Sequence, residues 1–240
     1  MDEKNLLYEG KAKRLFKTEN PQRLRVEYLN QATALNGVRK DMIKGKATLN
    51  NQITAIVFEQ LKQEDIQNHF IEMLSKHEQL VEALEIIPLE VVVRNVSAGS
   101  FAKRLAVPEG QQLEFPILEF YYKEDRLDDP IINEDHIKLL KIATQQEIRM
   151  IKDEVRKVNE ALIELFNKIG IRLIDFKIEF GRRPDGTILL ADEVTPDTCR
   201  LWDEKSNDHL DKDVYRKNLG EIVPVYQEVL DRLEQNFNQK

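Results

Sequence analysis

The clearest pattern in the chain is an alternation of apolar and charged residues from Leu173 to Gly181. Successive side chains of a β-strand point to opposite faces of the sheet. Asp175, Lys177 and Glu179 are therefore expected on one face, and the apolar residues at 174, 176, 178 and 180 on the other. Burying a charged side chain is costly unless a partner binds it. We therefore predict a strand whose charged face meets a ligand, such as a metal ion or a phosphate group.

A second strand is predicted at residues 187–194, after a turn that contains the Asp-Gly pair at 185–186. If that pair forms the centre of the turn, Glu179 lies directly opposite Asp192, although Pro184 could shift the register by a residue or two. Facing carboxylates repel each other unless a cation lies between them. Oxygen ligands favour Mg²⁺, so we predict a magnesium site on these two residues. The alternative is a solvated hairpin face whose charges bind nothing.

The rest of the pattern predicts a mixture of strands and helices. Further strands are predicted at residues 6–16, where a glycine turn separates two of them, and at 24–28, 88–96 and 113–122. Apolar residues follow helical spacing from Asn50, after a polar loop at 36–48, and again from Ile222. The residues Thr144-Gln145-Gln146-Glu147 form a capping box that opens a long helix. Strands early in the chain and mixed elements later favour an α+β fold.

Composition narrows the possible classes of protein. The chain has 240 residues, a formal net charge of -7 and one cysteine. No basic stripe stands out, which argues against a nucleic-acid partner. The single cysteine, Cys199, excludes an internal disulfide and fits a reducing compartment. There is no apolar run long enough to span a bilayer and no apolar signal core at the N-terminus, so we expect a cytoplasmic protein without a membrane segment.

Two short segments could bind anions. Lys11 and Lys13 lie beside the glycine turn at residue 10, where two ammonium groups can cover nucleotide phosphates, although solvated surface lysines are the alternative. Arg94 ends the apolar strand at 88–96 and Ser100 opens a short helix. Arg94 could bind a carboxylate with its two-pronged guanidinium group, and Ser100 could bind a phosphate. Equally, Arg94 could pair with an acidic neighbour and Ser100 could be only an N-cap.

Cys199 and the four histidines offer no catalytic grouping in the sequence. No histidine lies near Cys199 along the chain, so its thiol is expected to pack rather than to react. The histidines have none of the spacings typical of metal ligands, and we expect them to be structural or exposed. They are His69, His77, His136 and His209.

Six segments form an ordered set of motifs at residues 8–13, 86–100, 173–181, 192–193, 196–203 and 211–216. Together they resemble the SAICAR synthetase (phosphoribosylaminoimidazole-succinocarboxamide synthase) family of purine biosynthesis. The likeness spans nearly the whole chain, and the set is far more specific than any one motif. One position departs from the pattern, because many relatives carry Asp-Gly where this chain has Asn36-Gly37. Asn keeps a hydrogen-bond acceptor but no charge, which argues against a metal ligand or base there and still allows a substrate contact.

The resemblance implies an α+β fold in which ATP lies in a cleft between a β-rich, nucleotide-covering N-terminal part (1–85) and a larger mixed α/β C-terminal part (86–240). It implies a ligase that joins 5-amino-1-(5-phosphoribosyl)imidazole-4-carboxylate, or carboxyaminoimidazole ribonucleotide, to L-aspartate through an acyl phosphate, while ATP becomes ADP and phosphate. Mg²⁺ would be the cofactor, and the chain would form a homodimer. The alternatives are a nucleotide-binding regulator without ligase activity and a small-molecule kinase that uses the same cleft.

Residue roles follow from the matching motifs as further implications of the resemblance. Six residues would bind ATP: Lys11, Ala12, Lys13, Ile86, Glu90 and Lys123. Four would bind the imidazole nucleotide: Arg94, Ser100, Arg200 and Arg216. Glu179 and Asp192 would hold Mg²⁺, and Lys177 would neutralise charge at the transferred phosphoryl group. Asp175 or Asp197 would position or deprotonate the amine of L-aspartate.

Overall fold

The computed structural model describes residues 3–34 and 39–237. Its strands are β1 (Leu6–Glu9), β2 (Lys13–Lys17), β3 (Arg23–Tyr28), β4 (Gln31–Ala34), β5 (Arg39–Met42), β6 (Phe70–Ser75), β7 (Glu78–Glu82), β8 (Glu85–Ile86), β9 (Leu89–Val96), β10 (Gln112–Tyr122), β11 (Ile131–Ile132), β12 (Ile171–Arg182), β13 (Ile188–Ala191) and β14 (Cys199–Asp203). Its α-helices are α1 (Lys46–Gln63), α2 (Gly99–Leu105), α3 (Glu134–Leu139), α4 (Gln145–Lys168), α5 (Asp213–Arg216) and α6 (Ile222–Phe237). Short 3₁₀ helices span Glu3–Asn5 and Asp125–Leu127.

The N-terminal sheet consists of five antiparallel strands in the order β1-β2-β3-β7-β6. The strands β4 and β5 form a separate two-stranded ribbon. The glycine turn between β1 and β2 is closed by a hydrogen bond of 2.8 Å from the backbone N–H of Gly10 to the carbonyl oxygen of Lys13. This turn leaves Lys11 in the connection and Lys13 at the first position of β2.

The central sheet is organised around β12. Residues 171–176 of β12 pair with β14 and its middle, 175–178, pairs with β9. Its last residues, 179–182, pair with β13 and β8. The strands β10 and β11 extend the sheet beyond β9, and all of these pairs are antiparallel. Side chains from β9, β12 and β14 that share one face therefore meet, although they are far apart in the chain.

One large apolar core joins α1, α4 and α6 to the central sheet. Phe58 of α1, Leu162 of α4 and Tyr226 of α6 are each 0% exposed. The burial of each such large side chain stabilises the fold by roughly 1.5–3 kcal/mol. The N-terminal sheet ends at Glu82 and the central sheet begins at Glu85, yet α1 packs against α6 in the shared core. A division into parts 1–85 and 86–240 therefore stays a prediction.

The helices begin close to where the sequence predicts them. In the capping box before α4, Thr144 and Glu147 each accept a hydrogen bond from the other's backbone N–H, as predicted. The helix α1 begins at Lys46, one turn before Asn50, and the predicted polar loop contains β5. Asn36 and Gly37 lie outside the described residues. Within the described part of the chain, no helix has both the length and the apolar composition needed to cross a bilayer.

The faces of β12 agree with the predicted alternation except near its start. Phe176 and the later apolar residues of the strand pack in the large core. A register irregularity between residues 173 and 175 displaces Ile174, which packs instead in a small cluster with residues of β9 and β14. The charged face is also interior, since Asp175 and Glu179 are each 3% exposed. These carboxylates therefore need partners within the protein or from a ligand.

The predicted register of the hairpin is wrong by one residue. Glu179 pairs with Ala191, so it does not lie directly opposite Asp192. The turn holds three residues, 184–186, and Gly186 adopts a φ of +87°. Glycine tolerates this left-handed conformation, which three-residue hairpin loops require. The strand β13 consequently ends at Ala191, and Asp192 turns away from it.

Candidate functional site

Two groups of charged side chains meet along β12. The first, which we term the lysine–carboxylate cluster, consists of Lys13, Lys123, Lys177, Glu90, Glu179 and Asp192. The Nζ atom of Lys177 lies 2.7 Å from Oε1 of Glu90 and 3.5 Å from Oε1 of Glu179. The Nζ atom of Lys123 lies 2.5 Å from the other carboxylate oxygen of Glu179. The sequence therefore predicted correctly that Lys177 and Glu179 meet on one face, and the structure adds the partner from β9.

Lys13 connects the N-terminal sheet to the segment that follows β13. Its ammonium group binds the carboxylate of Asp192 and lies 3.2 Å from Oε1 of Glu193. It also lies over the ring of Tyr28, 5.3 Å from the centroid, where the ring face attracts a cation. The lysine–carboxylate cluster therefore lies between the two sheets.

The charges of the lysine–carboxylate cluster stabilise one another. Burial alone would lower the pKa of Lys177, but Glu179 and Glu90 outweigh burial and hold it well above its ordinary value. Burial would raise the pKa of Asp192, but Lys13, Lys177 and Lys123 outweigh burial and hold it well below its ordinary value. Lys177 and Asp192 are therefore both charged at neutral pH.

The second group, which we term the arginine–carboxylate chain, consists of Glu119, Arg94, Asp175, Arg200, Asp213 and Arg216. Asp175 lies between two arginines from the neighbouring strands, because Arg94 of β9 and Arg200 of β14 each place Nη1 2.8 Å from its Oδ2. Arg200 also donates from Nε to Asp213, at 3.0 Å. Burial would raise the pKa of Asp213, but Arg200 and then Arg216 outweigh it and lower the pKa to about 2.

Each of the three guanidinium nitrogen atoms of Arg94 donates a hydrogen bond within the protein. Its Nε atom donates to Glu119 at 3.2 Å, its Nη1 to Asp175, and its Nη2 to the hydroxyl oxygen of Tyr121 at 3.3 Å. The side chain is 6% exposed. Pairing with acidic neighbours, which the sequence left open, is therefore present, and it fixes the orientation of the guanidinium group.

Gly99, the residue before Ser100, lets Arg200 approach the backbone at the start of α2. Gly99 has a φ of +55°, and a Cβ atom added there would lie 2.3 Å from Nη2 of Arg200. The N-cap of α2 is Ala98, so Ser100 is the second residue of the helix and the N-cap role considered for it is wrong. Ser100 is exposed and directly follows the glycine that Arg200 approaches.

Asp197 lies in a separate buried contact that links α1 to α6. Its Oδ2 accepts hydrogen bonds from Lys46 and from Nδ2 of Asn50, the latter at 3.1 Å. Its Oδ1 accepts a hydrogen bond of 2.5 Å from the hydroxyl group of Tyr226. Burial would raise the pKa of Asp197, but Lys46 and Lys212 outweigh it and hold it well below its ordinary value. Both carboxylate oxygens are therefore occupied, which disfavours proton abstraction by this residue.

The remaining predicted nucleotide contacts, Lys11, Ala12 and Ile86, lie outside both charged groups. Lys11 does not share a partner with Lys13, since its Nζ lies 2.8 Å from Oδ1 of Asp125 and both side chains are more than half exposed. The carbonyl oxygen of Ala12 accepts the backbone N–H of Leu29 at 2.7 Å, which holds the turn against β3. Ile86 is 41% exposed on β8.

Sequence reasoning did not assign several partners of these residues. Nothing in the neighbouring sequence marks these partners, and only their contacts with distant residues distinguish them. They are Glu119, Asp213, Glu193 and Lys46. Cys199 is 2% exposed, and burial raises its pKa well above the ordinary value, which agrees with a packing role.

His209 lies near two aspartates in the fold, although the sequence offers no ligand spacing. In the described residues, it forms with Asp211 and Asp213 the only group of three metal-ligand side chains whose ligand atoms lie within 4.8 Å of one another. Asp211 already accepts backbone N–H groups of Leu201 and Asp213, at 2.9 and 2.7 Å. Asp213 is neutralised by two arginines. Both carboxylates therefore have hydrogen-bonding or ionic partners within the protein without a metal ion.

Comparison with known proteins identifies the family to which this chain belongs. The SAICAR synthetase family model matches residues 6–233. The phosphoribosylaminoimidazole-succinocarboxamide synthase of Enterococcus faecalis is 63% identical over 233 residues, which cover 97% of this chain and 98% of the relative. The crystal structure of the synthase from Ehrlichia chaffeensis has a TM-score of 0.93 at 44% identity and covers 95% of this chain and 98% of its own. A SAICAR synthetase solved in complex with ADP has a TM-score of 0.91 at 47% identity, covering 94% and 96%. The protein described here therefore belongs to the SAICAR synthetase family.

Proposed function

We propose that the protein is an ATP-dependent ligase of purine biosynthesis, which joins carboxyaminoimidazole ribonucleotide to L-aspartate and releases SAICAR, ADP and phosphate. Its family and its similarity to a synthetase solved with ADP support this reaction. One observation carries the assignment of the site: β12 contributes side chains to both charged groups. Asp175 and Glu179 are separated by roughly 13 Å along β12, and Lys177 lies between them. The charges proposed to bind phosphate and those proposed to bind the imidazole nucleotide are therefore adjacent along β12.

The proposed chemistry explains why the site needs so many cations. A carboxylate does not condense with an amine in water, because its oxygen is a poor leaving group. In the first step a carboxylate oxygen of the imidazole nucleotide attacks the γ-phosphorus of ATP, and the bond to the β-phosphate oxygen breaks to release ADP. In the second step the neutral amine of L-aspartate attacks the acyl carbon, phosphate leaves with the C–O electron pair, and the nitrogen loses a proton. Phosphoryl transfer between anions is mainly an electrostatic problem, for which Lys13, Lys123 and Lys177 supply the positive charge.

The donor set of the lysine–carboxylate cluster suits Mg²⁺. Glu179 and Asp192 offer carboxylate oxygens, the donors that this ion prefers. Their oxygens bind lysine ammonium groups, which a divalent cation would replace as the source of positive charge. We assign both residues as Mg²⁺ ligands, and the bound ion would neutralise phosphate charge. Lys13 and Lys123 would then be available to contact the phosphates directly.

The arginine–carboxylate chain is assigned to the imidazole nucleotide. Arg94, Arg200, Arg216 and Ser100 would bind its phosphate and carboxylate groups, because guanidinium groups match these anions in shape and charge. Asp175 accepts hydrogen bonds on both oxygens. We therefore assign Asp175 to orienting the arginines, and Asp197 to holding the surrounding loop, and we assign neither as the base.

The same proposal covers the outer part of the site and the assembly. Lys11, Ala12, Ile86 and Glu90 would line the ATP site, where the exposed apolar side chain of Ile86 suits an adenine ring.

A homodimer and a cytoplasmic location complete the proposal. ATP and a phosphorylated nucleotide are both intracellular compounds, which supports the location.

Release of ADP under different substrate combinations tests this function. We expect sustained release only when ATP, the imidazole nucleotide and L-aspartate are all present. A small-molecule kinase would release ADP without L-aspartate and accumulate a stable phosphorylated product, and a regulator would bind nucleotide without turnover. Lys177→Met is the matched control, since it keeps the length of the side chain without its charge. This variant should still bind added ADP, but it should form almost no ADP from ATP.

A further inference from the structure

Asp192, the proposed Mg²⁺ ligand, has an unusual backbone conformation. Its φ is +63°. Residues with a side chain rarely adopt this left-handed conformation, because the Cβ atom then crowds the following carbonyl oxygen. The conformation turns Asp192 out of β13, and its carboxylate binds Lys13. A contact that fixes this peptide group would therefore also fix the direction of the carboxylate.

The imidazole ring of His69 holds the carbonyl group of Asp192. The Nε2 atom of His69 lies 3.1 Å from that carbonyl oxygen. Because a carbonyl oxygen only accepts hydrogen bonds, Nε2 is the protonated nitrogen. The residue is 7% exposed, and its ring packs edge-on against Phe58 with 5.7 Å between the ring centroids. The donor is therefore directed at Asp192 from the interior of the protein.

The backbone of His69 is itself fixed on both sides. Its N–H donates to the carbonyl oxygen of Leu190, at 2.9 Å, and its carbonyl oxygen accepts the N–H of Glu82, at 2.7 Å. The first contact joins His69 to β13, and the second joins it to β7 of the N-terminal sheet. The imidazole ring therefore reaches Asp192 from a rigid position between the two sheets.

We propose that His69 is a positioning residue for Asp192: its Nε2–H fixes the carbonyl group in the left-handed turn and so directs the carboxylate into the lysine–carboxylate cluster. This inference rests on the proposed function, since it concerns Mg²⁺ binding by Asp192. A histidine that only filled space beside Phe58 would need no N–H directed at this carbonyl group. The hydrogen bond, rather than the volume of the ring, is therefore the feature to test.

Calorimetric titration of ADP, with and without Mg²⁺, measures the effect without catalysis. His69→Leu removes the donor and keeps a bulky side chain. We expect it to weaken ADP binding in the presence of Mg²⁺ by roughly tenfold, as for other groups that orient metal ligands. ADP binding without Mg²⁺ should stay within about twofold, because only the Asp192 carboxylate is displaced. His69→Gln supplies an amide N–H of similar reach and should restore binding to within about threefold of the parent.

Two further variants separate the possible outcomes. Phe58→Leu disturbs the packing around the ring and should lower the melting temperature while leaving the Mg²⁺ dependence of ADP binding unchanged. If it changes that dependence as much as His69→Leu does, the effect comes from packing and the inference is overturned. If Asp192→Asn leaves the Mg²⁺ dependence unchanged, the proposed metal site fails. If Asp192→Asn alters it and His69→Leu does not, only the role of His69 fails.

A comparison of amides keeps the inference testable if His69→Leu does not fold. His69→Asn carries the same amide on a side chain one methylene shorter than glutamine, so its N–H falls short of the Asp192 carbonyl oxygen. His69→Asn should then show weaker Mg²⁺-dependent ADP binding than His69→Gln. Equal binding by the two variants would overturn the inference.

Discussion

Arg94 and Asp175 lie directly opposite each other on β9 and β12, with 2.8 Å between Nη1 and Oδ2. Arg200 reaches the same carboxylate from β14, on the other side of β12. One buried acid therefore orients two arginines that are 106 positions apart in the printed sequence. The proposed binding of the imidazole nucleotide therefore depends on this carboxylate as well as on the arginines.

Replacement of Arg94 by lysine tests this arrangement. An ammonium group cannot supply the separate contacts that Arg94 makes with Glu119, Asp175 and Tyr121. We expect the KM for the imidazole nucleotide to rise at least roughly tenfold, and the free energy of unfolding to fall by about 1–3 kcal/mol. Steady-state kinetics and chemical denaturation measure the two effects. Arg126→Lys is the control, since Arg126 is 86% exposed and should tolerate the change. An unchanged KM for Arg94→Lys would refute the assignment.

Glu179→Gln should impair turnover with little effect on the fold. The change leaves Lys177 paired with Glu90, and Lys123 is 40% exposed and can be solvated. We expect kcat to fall by roughly 100-fold or more, because the charge that faces Mg²⁺ and the phosphates is lost. Steady-state rates and thermal melting of the same sample decide the question. Glu114→Gln, at an exposed position of β10, is the charge-matched control. Collapse of the fold in Glu179→Gln would indicate a structural role instead.

Asp192→Asn should behave in a similar way, for a related reason. Lys13 keeps a second carboxylate at 3.2 Å, that of Glu193, so the substitution leaves no buried ammonium group unpaired. We expect a large fall in kcat and a small change in melting temperature. A melting temperature that falls while kcat is preserved would contradict the metal assignment.

Asp197→Asn should act mainly on stability. Lys46 is 1% exposed, and the substitution removes its carboxylate partner. Breaking a buried ion pair in this way costs about 3 kcal/mol of unfolding free energy. Tyr226→Phe, which removes one hydrogen bond and keeps the ion pair, should cost about 1 kcal/mol. Denaturant titrations measure both values. If Asp197→Asn keeps full stability and loses turnover, Asp197 is a base and our assignment is wrong.

The ion pair between Glu147 and Arg182 should make stability depend on pH. The hydrogen bond from Arg182, at 2.5 Å, and the capping contact with Thr144 lower the pKa of Glu147 from 4.5 to about 2. A carboxyl group with a lower pKa in the folded than in the unfolded protein stabilises the fold at pH values above its unfolded pKa. For Glu147 this contribution is lost as the pH falls from about 4.5 to about 2. Glu147→Gln keeps the capping oxygen and removes the charge, so we expect a loss of about 1 kcal/mol at neutral pH after allowance for solvent screening.

Urea titrations of the parent and Glu147→Gln at about pH 7, 5 and 3.5 check this sign. The difference between the two proteins should be constant from neutral pH to about pH 5 and should shrink below the unfolded pKa. A difference that stays the same at the lowest pH would mean that packing, rather than charge, accounts for it.

The sequence by itself determined the local features. The alternation at 173–181 predicted a strand with Lys177 and Glu179 on one face, because side-chain direction in a strand depends only on position along it. The capping box at Thr144 was predicted for the same reason, since its hydrogen bonds lie within one helical turn. The ordered motifs also indicated the family, which the comparisons confirm.

Only the tertiary structure decided which charges meet. The three-residue turn moved Asp192 away from the position opposite Glu179, because one residue of register changes the face of every side chain that follows. Lys46 and Asp197 are separated by 151 positions, and His69 and Asp192 by 123. Periodicity predicts the face on which a side chain lies, but its partner depends on how distant strands and helices pack. That packing minimises the free energy of the whole chain, which no single segment encodes.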